Sequence, residues 1–158
     1  MKPVINIKPK TPIKISGSVK NLVKELGLNT KPVYLPLCEV EGTRAGYCFN
    51  NCEDYIRDNA GEIVYGWIIW EDRKNRFIEA EFHALIKYEG RLMDITPRFN
   101  AEKKVLFVED DTRISGRKDK TTWHSWTNIK LKDGFTLEFP AQIEIRELDN
   151  DYSEVVYL

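Results

Sequence analysis

Apolar residues in the second quarter of the chain recur at helical spacing: Phe49, Cys52, Tyr55 and Ile56 share one stripe, which predicts a helix opening at about Cys48. A second, shorter stripe of Leu22, Val23 and Leu26 predicts a packing helix over Val19–Leu26, with Ser18 as its cap and Gly27 ending it. The pattern then changes period. Glu62–Trp70 is apolar on both parities, as in a strand covered on both faces. Phe77–Tyr88 alternates cleanly, with Ile78, Ala80, Phe82, Ala84 and Ile86 on one face and Glu79, Glu81, His83 and Leu85 on the other. Glu89-Gly90 is a two-residue hairpin turn into Arg91–Thr96, and Val105–Val108 is a further short strand. Trp123–Leu131 and Phe135–Leu148 read as a C-terminal hairpin, 123–148, around Lys132-Asp133-Gly134. Helices followed by antiparallel strands predict an α+β fold, with a central helix packed on an antiparallel β-sheet.

Length and charge narrow the picture. The chain has 158 residues, one domain's worth, and 24 basic against 25 acidic residues give a net charge of −1. No global field draws it to nucleic acid, and the charges near Arg117, Lys118 and Lys120 lack the interleaved aromatics of a nucleic-acid surface. No apolar run is long enough to span a membrane, so a cytoplasmic location is expected. Residues 1–16 form an extended basic arm in which Pro3, Pro9 and Pro12 interrupt strand pairing.

Three cysteines, Cys38, Cys48 and Cys52, read as free thiols. Cys52 belongs to the packing stripe of its helix, whereas Cys48 stands in the first turn, where the helix dipole favours a thiolate. The two-residue turn pairs Tyr88 with Arg91, and counting outward brings Leu85 opposite Asp94. Asp94 then shares a face with His83, diagonal to it and within side-chain reach. A carboxylate there can hold one imidazole nitrogen and leave the other for Cys48, the arrangement of a thiol triad. Asp94 can also serve the Thr96-Pro97 turn alone. Asn51, one turn after Cys48, is a candidate for orienting substrate or supporting an oxyanion, or for satisfying helix-end donors. Glu79 and Glu81 can line a cleft or merely solvate the sheet.

The segments Gly46-Tyr47-Cys48, Val64-Tyr65-Gly66-Trp67, Phe82-His83-Ala84 and Gly90-Arg91-Leu92-Met93-Asp94-Ile95-Thr96-Pro97 together resemble the core of transglutaminase-like cysteine enzymes, a division of the papain-like fold. The similarity covers about residues 45–98, a catalytic-like core, and extends to small bacterial and phage proteins with Cys-x-x-Asn, Gly-Trp, Glu-Phe-His-Ala and Asp-Ile-Thr-Pro. It departs in having Leu85 after His-Ala and a short interval between the cysteine and the histidine. The resemblance implies a papain-like fold and thiol chemistry on an amide or acyl group, hydrolysis or transfer, with a protein or peptide amide as substrate and no cofactor. The alternatives are a non-catalytic binding or inhibitor protein of a phage and host setting on the same fold, and a zinc module built from Cys48, Cys52 and His83 with Cys38 or Asp94.

Overall fold

The computed structural model describes residues 6–100, 102–148 and 153–158. Its two helices form where the stripes predict: α1 spans Gly17–Glu25 and α2 spans Cys48–Asp58. The cap of α1 is Ser16 rather than Ser18, its hydroxyl accepting the Val19 N–H at 3.4 Å. Val19, Leu22 and Val23 of α1, and Phe49 and Cys52 of α2, are buried. The first five residues of the expected arm lie outside the described residues. The rest is tied down at Lys10, whose backbone exchanges both hydrogen bonds with Glu71.

Strands make up most of the regular secondary structure. They are β1 (Val33–Pro36), β2 (Glu62–Asp72), β3 (Phe77–Tyr88), β4 (Arg91–Met93), β5 (Lys104–Glu109), β6 (Gly116–Arg117), β7 (Thr122–Trp126), β8 (Ile129–Lys132), β9 (Phe135–Glu138), β10 (Gln142–Glu147) and β11 (Ser153–Tyr157). A seven-stranded sheet has the order β1-β5-β2-β3-β8-β9, with β4 also pairing β3, and a four-stranded sheet has the order β11-β10-β7-β6. All their ladders are antiparallel. The fold is thus mixed α and β with antiparallel sheets.

The expected 123–148 hairpin needs correction. The segment 123–131 is two strands, and the chain changes sheets at Thr127-Asn128: β7 pairs β10 in the small sheet, while β8 pairs β3 and β9 in the large one. Within 123–148 the hairpin is β8 and β9, about a turn with Asp133 at φ 51° and Gly134 at φ 83°. Pro140 ends that hairpin, and Ala141 returns to Thr127 through Ala141 N–H to Thr127 Oγ1 at 2.7 Å.

Helix α2 packs on β3 and β2. Phe49 carries the contact onward, its ring 5.8 Å from Tyr65 of β2 and 5.3 Å from Trp123 of β7, so one apolar core joins the two sheets through the first turn of α2. Phe82, Ala84 and Ile86 enter this core, while Leu85 belongs to a second cluster with Leu35, Ile68 and Phe107. Outside the core, Arg117 bridges Glu53 of α2 and Glu147 of β10 at 2.8 and 3.0 Å and stacks 3.6 Å from the centre of the Trp123 ring. The basic loop is therefore built into the contact between helix and small sheet.

Gly66 shows how closely the strands carrying the site approach. It pairs with His83 across β2 and β3 and with Glu109 across β2 and β5. A Cβ there would collide with the Val108 carbonyl and the Phe107 ring and lie 2.9 Å from Glu109 Cα, so backbone as well as side chain would have to move. Gly66→Ala is expected to destabilise the protein by at least about 2 kcal/mol, read as a fall in urea midpoint. An unchanged midpoint would mean that the β2–β5 ladder leaves room for a methyl group at Gly66.

Candidate functional site

The site lies at a gap in a sheet edge. Beyond β3, residues 77–80 pair with β8 and residues 86–88 pair with β4, so 81–85 have no strand on that side. His83 stands in the gap. The turn that sets the register has Glu89 at φ 50° and Gly90 at φ 76°, the two positive values of a type I′ hairpin, and it pairs Tyr88 with Arg91 and Ile86 with Met93 as the sequence predicts. Asp94 follows directly, held by a parallel bridge to Leu37 and by the Cys38 N–H donating to its carbonyl at 2.8 Å.

His83 Nε2 and Asp94 Oδ1 are 2.9 Å apart, with the side chains 4% and 1% exposed, so this pair is closed to water. Asp94 Oδ1 also accepts the Thr96 N–H at 3.2 Å. The two readings of Asp94, turn former and histidine partner, are therefore both realised by one oxygen. Arg98 was not singled out by the sequence. Its Nη2 donates to Asp94 Oδ2 at 3.1 Å, lies 3.4 Å from His83 Nε2, and is anchored by the Thr96 carbonyl at 2.9 Å.

Burial costs Asp94 its charge, but His83, Arg98 and the Thr96 amide outweigh that cost and hold its carboxyl below the usual range. Burial likewise opposes a charged His83. The neighbouring Cys48, by charge and hydrogen bonding, and Asp94 overcome it, raising the imidazole to about 9. With Asp94 on Nε2, Nδ1 is the nitrogen left for Cys48.

Cys48 is half-buried at the start of α2, Cys52 fully buried and Cys38 exposed. Desolvation pushes the Cys52 thiol up, as suits a packing residue. Asn51 does not face the cleft. Its amide accepts the Arg44 N–H at 3.1 Å and donates to the Arg44 carbonyl at 2.8 Å and to Thr96 Oγ1 at 3.0 Å. With those contacts made, the expected oxyanion role gives way to a positioning one: Asn51 ties the loop before Cys48 to the turn that holds Asp94. A Cys-x-x-Asn spacing carries that signal, since position i+3 of a helix returns to the preceding loop. Nothing local to Arg98 announces its role except the i, i+4 interval from Asp94.

Cys48 and His83 open into a cleft of about 520 Å³, the size of a small-molecule or peptide-side-chain site. Phe49, Phe82, Thr96, Arg98 and Trp126 line it together with Trp70, Glu79 and Glu81. Trp67 lies wholly in the core, so of Trp67 and Trp70 only Trp70 reaches the cleft. Phe99, 87% exposed, stands at its mouth. A hollow of about 650 Å³ beside the arm, between Lys8 and Asn75, contains neither cysteine nor histidine. The zinc alternative finds no support in the geometry: among the described residues no three His, Cys, Asp or Glu side chains converge as metal ligands. His124 lies apart, on β7 opposite Glu144, with Nδ1 buried and unpartnered. Among the described residues no helix is long and apolar enough to cross a membrane. No family model matches the chain, and neither a curated protein nor a solved structure matches it.

Proposed function

We propose that this protein is a papain-like cysteine enzyme of the transglutaminase-like kind, cleaving or transferring the acyl group of an amide or ester, with a protein or peptide amide as substrate. The observation that carries the reading is the buried His83–Asp94 pair whose free nitrogen turns toward Cys48 at the start of α2. The helix N-terminus and the order cysteine, histidine, aspartate add to it.

His83 Nδ1 acts as the base that draws the proton from the Cys48 thiol, while Arg98 and His83 hold Asp94 ionised beside it. In the reaction Cys48 Sγ attacks the carbonyl carbon while the carbonyl electron pair moves onto oxygen, to which the Cys48 N–H at the helix start donates a hydrogen bond. One such donor is worth about 3 kcal/mol. When the tetrahedral species collapses, the bond to the leaving amine or alcohol breaks and His83 Nδ1–H protonates it, leaving a thioester. Water or an amine then attacks the thioester, His83 takes its proton, and the thiolate departs. Asp94 fixes the tautomer and stays ionised throughout. The chain's own residues suffice for each step.

Incubation with a panel of peptidyl p-nitrophenyl esters, quenched in acid and weighed as intact protein, tests this. The expected result is an acyl adduct on Cys48, absent from Cys48→Ala and formed at least about 100-fold more slowly in His83→Ala. Ester turnover that is equal in wild type and Cys48→Ala would leave the fold serving a binding protein instead.

A further inference from the structure

The wall of the cleft beside His83 carries charge that the proposed chemistry does not use. Glu79, Glu81 and His83 occupy alternate positions of β3, so their side chains leave the same face, with the two glutamates at about 7 and 13 Å from His83 along the strand. Both line the cleft. Glu81 is exposed, and Glu79 is half-buried beside the opposing Trp70, with Asn128 Nδ2 donating to it at 3.4 Å. Lys130 faces Glu79 across β3 and β8, but its amine is drawn 3.7 Å from Glu138 and does not line the cleft. Arg98, the basic residue in the lining, is 8% exposed and bound to Asp94. The cleft therefore presents two carboxylates and several aromatic rings to a ligand, with its one guanidinium already engaged. Aromatic faces and carboxylates are what a cationic side chain recognises, by cation–π attraction and by charge.

We propose that the cleft selects substrates bearing a lysine or arginine side chain next to the carbonyl that Cys48 attacks, received by Glu81 and Glu79. This rests on the cysteine-enzyme reading and adds its substrate class. A basic side chain that enters along β3 runs from the reacting carbonyl at His83 toward Glu81 first and Glu79 beyond it. Its aliphatic stem lies on Trp126 and Trp70, and its head reaches water-screened carboxylates.

A matched pair of affinity labels tests the proposal: tosyl-lysine chloromethyl ketone and its norleucine analogue, which differ chiefly in the terminal ammonium. In each, the Cys48 sulfur forms a carbon–sulfur bond as the carbon–chlorine bond breaks and chloride leaves. Labelling of Cys48, followed by intact mass and peptide mapping at low salt, is expected to be at least tenfold faster with the lysine reagent. Glu81→Gln is expected to bring the ratio close to one, and Glu81→Lys, on an exposed position, to invert it. Glu79→Gln keeps its Asn128 contact and should lower the ratio by a smaller factor. Equal rates in the wild type, or a ratio unmoved by both Glu81 substitutions, overturn the basic-side-chain assignment while leaving the thiol chemistry intact. Failure of iodoacetamide and both ketones to favour Cys48 over Cys38 overturns the cysteine-enzyme reading itself, and the substrate assignment with it.

Discussion

Iodoacetamide at pH 6 is expected to alkylate Cys48 at least about tenfold faster than Cys38 and to leave Cys52 unmodified. The comparison is internal, because the three thiols differ in setting within one molecule: Cys38 exposed, Cys48 half-buried at a helix start, Cys52 enclosed. An exposed thiol with the ordinary pKa of about 8.5 is only about 0.3% ionised at pH 6, so accessibility alone favours Cys38. An advantage for Cys48 must come from its neighbours, among them His83, which is hydrogen-bonded to it. Because His83 holds its proton up to about 9, the imidazolium is present throughout the range in which an ordinary thiol is neutral. A thiolate paired with it is a weaker nucleophile than a free one, which limits the advantage to tens rather than hundreds. His83→Ala should therefore reduce Cys48 to the rate of Cys38 or below, and peptide mapping after partial labelling would measure it. A Cys48 rate that does not change in His83→Ala would break the link on which the triad depends.

The site was legible where local geometry alone decides it. The Glu89-Gly90 turn admits one pairing of β3 with β4, and that pairing brings His83 and Asp94 onto one face before any tertiary contact is considered. The start of α2 at Cys48 follows similarly from the apolar stripe of Phe49, Cys52 and Ile56. What sequence could not reveal was the passage between sheets at Thr127-Asn128. Trp123, Ser125, Ile129 and Leu131 are all odd-numbered and all buried, so the alternation resumes in the same phase after the point where the chain leaves one sheet and joins another. Phe135 and Leu137 of β9, with Phe139 beyond it, alternate just as well, yet are 76, 61 and 66% exposed, because β9 is the outer strand of its sheet. Periodicity reports which residues share a face and says nothing about whether another layer covers it.

Arg98 and Arg117 illustrate a second limit. The role of each is fixed by carboxylates that folding supplies: Asp94 in one case, Glu53 and Glu147 in the other. The Asn51 amide belongs to the same class. Its partners Arg44 and Thr96 are 7 and 45 residues away, and only the folded chain turns a helix-end asparagine into the clamp between the nucleophile loop and the aspartate turn.

Asp94→Asn is expected to weaken both the reactivity of Cys48 and the fold itself. An isosteric amide that keeps its oxygen at the Oδ1 position can still accept the Thr96 N–H, but its nitrogen then faces Arg98, which offers a donor in return, and no negative charge is left beside His83. Removing the carboxylate also leaves the Arg98 guanidinium, 8% exposed, without the partner that offsets its burial. Breaking one side of a buried ion pair costs about 3–5 kcal/mol, and the low end suits a substitution that keeps one hydrogen bond. For a domain of this length about 3 kcal/mol corresponds to a fall in Tm of about 6–12 °C. The pH dependence gives the sign. The pKa of Asp94 is depressed by folding, so its contribution is present above its ordinary value of 3.8 and lost as pH falls below that. The pKa of His83 is raised from 6.5 to about 9, so its contribution is complete below 6.5 and lost as pH rises through about 9. Wild-type stability should therefore hold a plateau between about pH 4 and 6.5 and decline on both sides, and Asp94→Asn should lessen the alkaline decline, because one of the two partners that favour protonated His83, Cys48 being the other, has lost its charge. Thermal melts of the two proteins from pH 4 to 9.5 measure both effects. An Asp94→Asn protein with wild-type Tm and an unchanged alkaline slope would show that the buried carboxylate does not hold the imidazole, and the proposed catalytic arrangement would have to be abandoned.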